Sequence, residues 1–586
     1  MTASKVFRIV LIKPSHYDDQ GYVIQWLRSV VPSNSLAIMN GLVLDSARRK
    51  VLGDDVAILV DTYDETNTVI PIKKIVASIK KAGGGLVGLV GVQTNQFPRA
   101  MDLATAFRAA DIPVVIGGFH VSGCLAMLPE IPAEIQDAIG KGVTIFAGEA
   151  EEHFDELLVD AFEGKLKPIY NFLQDLPSLE GVPMPFLPYS SVRYNFGTYS
   201  SFDAGRGCPF QCSFCTIINV QGRKSRRRTP DEIAILIRAS YETGISRFFI
   251  TDDDFARNKD WEPIFDKLIQ LREQEALDIY FTIQVDTLCH KIPRFIEKAK
   301  RAGVRRVFIG LENIHPESLV GAKKRQNKIW EYRRMLQAWK EPPSCHTYVG
   351  YILGFPTDTP ESIAHDIEIL KKELPIDLLE LFCLTPLPGC EDHRTLALRG
   401  EWMDADLNKY DLEHVTTHHP RMSREEWEAA YFQAWRQYFS WEHMETVLRR
   451  NATTNKRVRK IMTFLLWFTG FVTIEGIHPL QGGLLRRRIR TSRRSGMPRE
   501  HPFRFYPREF WNILSKTLRW VLLYVKFVRL RNRVEKDSHR LEYRDLAITP
   551  VEDEVGELLP PPVPGRANVT DIPIDRTATS RYSPAG

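Results

Sequence analysis

Residues 201–215 read SFDAGRGCPFQCSFC, a short apolar run closing on three cysteines, Cys208, Cys212 and Cys215, in a C-x3-C-x2-C spacing. Eight cysteines strewn at random over the 586 residues would give that triple with a frequency on the order of 0.001. Thiolates on one tight loop can converge on an iron–sulfur cluster. A cubane needs four ligands, so three protein thiolates leave one iron open to a substrate or cofactor. Zinc, which prefers four protein ligands in structural sites, and a chance group of buried thiols are the competing readings. Downstream of the loop, residues 248–251, 280–284, 307–310, 349–354 and 378–384 read as strands with helices between them. Thr229, Pro230 and Glu232 occupy N-cap, N1 and capping-box positions, and Thr359–Pro360 repeats the first two. A βα domain of barrel type over residues 199–390 fits this alternation.

Upstream, residues 6–13, 56–61, 86–92, 114–117 and 143–147 are short β-branched runs bounded by Gly, Pro or Asp, the mark of buried parallel strands. Residues 70–82 and 99–110 are long enough for crossover helices. The pattern predicts a doubly wound α/β domain over residues 1–165, which binds ligands at the carboxyl ends of its strands. Residues 166–198, with Pro177, Pro183, Pro185 and Pro188, read as a linker. Residues 391–450 read as a helical extension opened in part by a Ser423/Glu426 capping box, and 451–548 as a basic helical region. Residues 549–586, with Pro560, Pro561, Pro562 and Pro564, read as a disordered tail. No internal repeat is evident.

Hydrophobic residues make up 44% of the chain and charged ones 26%, which excludes collagen-like, coiled-coil and wholly disordered classes. Few cysteines for the length and no charged-then-apolar leader predict a cytoplasmic protein with reduced thiols. No apolar run reaches the length of a spanning helix; the longest is residues 461–474. The net charge of +5 hides an asymmetry: residues 449–533 hold 21 Lys and Arg against three acids, +18, leaving −13 elsewhere. Within it Lys516, Arg519, Lys526, Arg529 and Arg533 fall within about 140° of one helical face. Such a helix suits an anionic bilayer surface, into which residues 461–474 could also dip. Nucleic acid is the competing partner, and helices packed on the barrel with a solvated basic face are the plain alternative.

The cysteine spacing, together with the strand-end segments downstream of it, resembles the radical S-adenosylmethionine (SAM) enzymes. That resemblance implies a [4Fe-4S] cluster on Cys208, Cys212 and Cys215, with SAM chelated at the open iron and cleaved reductively to a 5′-deoxyadenosyl radical. It also implies an external electron donor such as flavodoxin or ferredoxin. The segment 249–255, FITDDDF, resembles the family's second-strand segment near the methionine moiety, without the Gly-Gly-Glu of many members. Gly310-Leu311-Glu312 resembles the fourth-strand segment near the ribose, and residues 350–356 the fifth-strand segment near the adenine. Phe214, Asp252, Asp253, Glu312, Gly350 and Gly354 are the SAM-contacting residues by this match. The first domain resembles the cobalamin-binding, flavodoxin-like domain that precedes many radical SAM barrels. Asp61, Thr94, Gly117, Gly118, His120, Gly148 and Glu149 are the residues so matched, and the competing reading is a degenerate domain kept for packing.

Where cobalt-ligating members carry Asp-x-His-x-x-Gly, residues 61–66 here read DTYDET, with Tyr63 in the His position. Ligation of the lower cobalt face from this loop is therefore not expected, while related proteins without that His keep cobalamin binding open. Cys124, Cys289, Cys345, Cys383 and Cys390 carry no assigned chemistry, and His414, His418 and His419 read as a solvated loop. The expected fold is thus a flavodoxin-like doubly wound domain, a partial (β/α) TIM-type radical SAM barrel and an α-helical carboxyl-terminal region. The resemblance implies cobalamin-dependent methylation of an unactivated carbon on a small-molecule or lipid substrate. The alternatives are radical cyclisation, rearrangement or coupling without methyl transfer, RNA modification, and a non-catalytic iron–sulfur or nucleic-acid-binding role.

Overall fold

The computed structural model of the protein describes residues 5–196, 199–454 and 458–551. Its first sheet contains β1 (Lys5–Lys13), β2 (Val56–Asp64), β3 (Gly85–Leu89), β4 (Val114–Gly117), β5 (Val143–Ala147) and β6 (Ile169–Asn171). They run in the spatial order β2-β1-β3-β4-β5-β6, all parallel. β3 and β5 are buried at every position, as expected of inner strands covered by helices on both faces. Strand order reverses between β1 and β3, which opens a crevice at their carboxyl ends. β6 lies inside the stretch read as a linker: Tyr170 is buried, and its hydroxyl donates to Asp160 at 2.5 Å, so this piece belongs to the sheet. Helix α1 (Asn34–Arg49) begins beside the crevice, capped by Ser33, whose hydroxyl accepts from the Leu36 N–H.

The second sheet contains β7 (Tyr199–Phe202), β8 (Arg247–Ile250), β9 (Tyr280–Val285), β10 (Val304–Glu312), β11 (His346–Leu353) and β12 (Leu378–Cys383), parallel and in consecutive order. The edge strands β7 and β12 do not pair with each other, so the barrel is partial. Side chains alternate with period two. Phe248, Ile283, Val307, Ile309, Leu379 and Leu381 enter the core beneath the surrounding helices, while Thr282, Gln284, Tyr348 and Glu380 occupy the alternate positions. That core is continuous with the α1 side of the first sheet through Leu36, Val43, Phe202 and Ala204, whereas a separate cluster fills the other face of that sheet.

The carboxyl-terminal region closes on this body. Helix α2 (Val458–Gly470) buries Ile461, Met462, Leu465 and Phe468. The Phe464 ring lies 5.6 Å from His346 and 5.7 Å from Tyr348. The segment 461–474 is therefore a packed element of the protein and not one that dips into lipid: its aromatics find partners on β11. Much of the expected basic surface is also internal. Arg486 and Arg488 pair with Asp18 at 2.8 and 2.9 Å, and Arg494 pairs with Asp406 at 2.7 Å. Strand Gly483–Arg487 runs antiparallel to Gln25–Ser29 of the first domain. The chain then forms a single long helix, α3 (Pro502–Lys536). The tail expected to be disordered lies, from residue 552 on, outside the described residues.

Candidate active site

The cysteine loop is positioned from behind by the acids at the end of β8. Asp252 Oδ1 accepts from the Ala204 and Gly205 N–H groups at 2.7 and 2.8 Å, and Asn258 Nδ2 donates to Oδ2 at 2.8 Å. These bonds pin the two-residue strand Gly205–Arg206, which pairs with Arg226–Arg227. Asp253 Oδ2 accepts from the Gly207 N–H at 2.9 Å, one residue before Cys208. Gly207 has φ +91°, and a Cβ there would sit 2.4 Å from the Lys224 carbonyl oxygen, so the turn into the loop requires glycine. Burial pushes the Asp253 carboxyl up to about 6 and that of Asp252 to about 7.

Cys208, Cys212 and Cys215 then follow within eight residues. The Cys215 N–H donates to the Cys212 carbonyl at 3.1 Å and the Cys208 N–H to Gly222 at 3.3 Å, folding the loop back on itself. Cys212 is buried, the other two half-buried. Burial pushes the thiols of Cys208 and Cys215 up to about 12, so each is a neutral thiol that would have to release its proton to solvent on binding iron. The helical turn Ile217–Val220 closes the loop, and Asn219 ties it to the Gly389 carbonyl at 2.9 Å. The other five cysteines are buried. Among them Cys345 and Cys383 donate to backbone carbonyls, and Cys390 accepts from the His393 N–H as a helix cap. The loop thus offers a three-thiolate set, which fits a [4Fe-4S] cluster with one open iron.

Glu312 ends β10 in a left-handed conformation, φ +67°, at a break in the β10–β11 register. The break turns its carboxylate onto the buried Lys324 Nζ. The Phe214 ring lies beneath that ammonium at 5.8 Å and 6.4 Å from Phe355. A β-branched or bulky residue could hardly adopt this backbone, and such strain at a strand's carboxyl end accompanies binding sites. Gly350 of β11 and Gly354 just beyond it do something other than admit a ligand ring. A Cβ on Gly350 would meet the Phe308 ring at 2.9 Å, and one on Gly354, φ +101°, would meet the Trp427 ring at 1.8 Å. The rings that approach this backbone are the protein's own.

A cavity of about 410 Å³ connects the two domains. Its first-domain wall is the switch-point edge: Gly88, Gly91, Gly117, Gly118, Gly148 and Glu149. The opposite wall carries Thr251, Asp253 and Gln284 from the barrel, together with Ile217, Val220 and Gln221 directly after Cys215. Asn34 Oδ1 and Thr251 Oγ1 line it as buried oxygens without a hydrogen-bond partner among the described residues. A glycine-edged cavity with unpaired polar atoms fits the amide-bearing edge of a larger ligand that brings its own donors, such as the corrin of cobalamin. Gly117, Gly118, Gly148 and Glu149 are therefore placed together as the sequence expects. Asp61, Thr94 and His120 are not. Asp61 pairs with Arg8 at 2.5 Å on the edge strand. Thr94 lies behind the cavity at 3.3 Å from His120 Nδ1, and His120 Nε2 faces Glu134 at 3.9 Å, close to Cys124. His414 pairs with Asp411 and His419 with the Phe355 carbonyl, so those histidines form no common site.

Beside the cavity lies a buried ion cluster that sequence reading misses. Arg206 bonds Glu149 at 2.6 Å, Glu151 at 2.5 Å and Asp203 at 2.9 Å, and Arg226 also pairs with Glu149. It joins the loop after β5 to the loop before the cysteines. Glu149 is thus an ion-pair partner holding the domains together. No local signal announces a pair 57 residues apart; only the excess of Arg and acid around both loops hints at it. Lys324 and Asn34 escape sequence reading as well, because neither lies in a motif and each acts on a strand end through the fold.

Residues 204–370 match the radical SAM superfamily. The hopanoid C-2 methylase of Rhodopseudomonas palustris is 25% identical over 298 residues, covering 49% of this chain and 53% of the relative, so the chain spans about half the length of that relative. The bacteriochlorophyllide d C-8(2)-methyltransferase of Chlorobaculum tepidum is 26% identical over 347 residues, 56% of this chain and 72% of the relative. The solved structure of the cobalamin-dependent SAM radical enzyme OxsB, with aqua-cobalamin and SAM bound, superposes with a TM-score of 0.50 at 14% identity. It covers 93% of this chain and 82% of that one, a likeness of fold.

Proposed function

From the premise that residues 204–370 belong to the radical SAM superfamily, we propose that this protein methylates an unactivated carbon of a hydrophobic substrate in a cobalamin-dependent reaction. The observation that carries the reading is the cavity bounded on one side by the segment after Cys215 and on the other by the glycine edge of the first sheet. A cluster-bound SAM and a corrin would there lie within reach of each other. When bound, the cluster with SAM supplies a substrate radical and the corrin supplies the methyl group. The relatives named as acting on hopanoids and bacteriochlorophyllide support a polycyclic or lipid-like substrate.

The residues divide the work. Cys208, Cys212 and Cys215 hold the cluster as thiolates; Asp252 and Asp253 fix the backbone leading into them. Glu312, held by Lys324, and Phe214 would face SAM bound beside the cluster. Gly117, Gly118 and Gly148 shape the cavity edge, where Asn34 and Thr251 would accept hydrogen bonds from the corrin amides. Gly118 and Gly148 tolerate no side chain: their Cβ atoms would sit 2.1 and 2.8 Å from backbone atoms. Tyr63 takes the His position of the cobalt-ligating motif but packs against the sheet face away from the cavity, so it would not ligate a corrin held there. The apolar cavity wall of Ile9, Leu11, Leu86 and Val115 excludes water from a reactive centre.

An external one-electron donor of the flavodoxin or ferredoxin class reduces the cluster, and the protein works in the cytoplasm at the membrane surface where such substrates reside. The test is an anaerobic assay with reconstituted protein, SAM, reductant, hydroxocobalamin and a host lipid extract, reading 5′-deoxyadenosine and S-adenosylhomocysteine by mass spectrometry. Both products are expected, S-adenosylhomocysteine only with cobalamin, and both lost on Cys208→Ala, Cys212→Ala or Cys215→Ala. Formation of 5′-deoxyadenosine alone would replace methyl transfer with cyclisation, rearrangement or coupling. Absence of both from protein with an intact cluster would count against the lipid substrate.

A further inference from the structure

Helix α3 is held to the body by one face and leaves the other unpartnered. Phe505, Phe527, Leu530 and Val534 are buried, Trp520 Nε1 donates to Glu475 at 3.0 Å, and Lys516 pairs with the same carboxylate at 2.7 Å. Lys516, counted by sequence on the lipid-facing basic stripe, therefore points inward. The outward face is apolar instead. Phe503 is 85% exposed, Phe510 and Trp511 68%, Leu522 63%, and Leu518 57%, with Tyr506, Leu514, Val521, Tyr524 and Val525 exposed beside them.

At about 100° per residue these side chains fill an arc of about 180° running some six turns along the helix. The surface they leave bare is on the order of 1,000 Å², beyond what a soluble monomer ordinarily exposes. Such a face has a partner.

We propose that this face docks α3 flat on an anionic lipid bilayer, with the stripe from Phe503 to Val525 lying in the interface. Charge selects the bilayer over other occupants. Arg504, Arg519 and Lys526 are exposed along one flank of the stripe, with Arg508 beside them paired to Glu500. Between residues 503 and 525 the single acid is Glu509, buried on the opposite face. A second copy would bring two such basic flanks together, whereas anionic headgroups turn the same charge into attraction. Nucleic acid would use the basic flank and leave Phe503, Phe510 and Trp511 in water. Phe, Tyr and Trp beside Leu and Val, rimmed by Arg and Lys, make the composition of a helix that lies in the headgroup boundary. No helix among the described residues is long and apolar enough to cross a membrane. The stripe is about 33 Å long at 1.5 Å per residue, and a helix lying flat presents all of it at once.

The inference deepens the reading of a hydrophobic substrate by naming where the protein would meet it, and its test does not depend on turnover. Full-length protein would be sedimented with vesicles of phosphatidylglycerol mixed with phosphatidylcholine, and with phosphatidylcholine alone. Binding to the anionic vesicles is expected to be about tenfold stronger. The variant Phe510→Glu/Leu518→Glu/Val521→Glu should weaken it about tenfold or more, with an unchanged near-ultraviolet circular dichroism spectrum because all three side chains already face solvent. Should that variant fail to fold, Phe510→Ser/Leu518→Ser makes the same test. Arg504→Gln/Lys526→Gln should lower the preference for anionic lipid while leaving weaker binding to both vesicles. Vesicle binding indifferent to the apolar substitutions would overturn the proposal. So would a self-association that those substitutions abolish without any vesicle binding, or retention on single-stranded RNA that only the basic variant removes. Methyl transfer without vesicle binding would overturn this inference and spare the catalytic reading; vesicle binding without methyl transfer would do the reverse.

Discussion

Glu380 stands on β12 opposite Gly350 of β11, fully buried, with Oε2 lacking any hydrogen-bond partner among the described residues. Burial alone pushes its carboxyl from the ordinary 4.5 up to about 8. The folded protein therefore keeps a proton that the unfolded chain releases near 4.5. Its contribution to stability is full below 4.5 and declines as pH rises towards 8, because over that window the folded state binds more protons than the unfolded one. Glu380→Gln should remove the decline, so unfolding free energies from denaturant titrations at pH 6 and pH 9 are expected to differ less in the variant than in the parent, by a few kcal/mol at most. Gly354 makes a second case. Its φ of +101° and the Trp427 ring 1.8 Å from a built Cβ mean that Gly354→Ala must strain the backbone and displace an indole that is itself buried. A loss of about 2–4 kcal/mol is expected from urea denaturation. Adding Trp427→Phe should recover part of it if the ring is the obstacle.

The cysteine loop is short and owes its shape to neighbours. Strand Gly205–Arg206 has only Arg226–Arg227 to pair with, and Asp252 supplies the remaining acceptors. Asp252→Ala leaves two backbone N–H groups unsatisfied at the foot of the loop, at a cost of about 2–3 kcal/mol. Iron bound after reconstitution should fall clearly below that of the parent, while Asp252→Asn, which keeps an acceptor oxygen for both N–H groups, should retain most of it. Equal iron content in the two variants would show that the loop holds its shape without this carboxylate. The helix Pro230–Glu242 of the barrel is, by contrast, readable in the chain: the box formed by Thr229 and Glu232 caps it as the spacing predicts, because both hydrogen bonds are local. For α3 the sequence shows the helix and its basic residues but not which face is bare. That depends on Glu475, 41 residues before Lys516, which draws Lys516 and Trp520 inward.

The two domains are locked together by Arg206, which meets Glu149 and Glu151 of one and Asp203 of the other. Arg206→Ala strands the buried Glu151 carboxylate, while Glu149 keeps Arg226 and Asp203 keeps Arg228, and should cost about 3–5 kcal/mol. Domain separation is then expected to show as a two-step thermal unfolding in place of one, with Arg206→Lys intermediate because an ammonium cannot reproduce the guanidinium fork. The amino-acid sequence by itself determined the alternation of strands and helices in both domains, the three-thiol loop and the glycines at the strand ends. Each of these obeys local rules: side-chain period, turn chemistry and short spacing. Only the tertiary structure decided that Gly350 and Gly354 accommodate Phe308 and Trp427, that residues 461–474 close against β11, and that Asp61 and His120 stand away from the cavity while Asn34 and Thr251 line it. Those outcomes rest on contacts between residues tens to hundreds apart, and chain separation carries no information about them until the two sheets meet and exclude water between them.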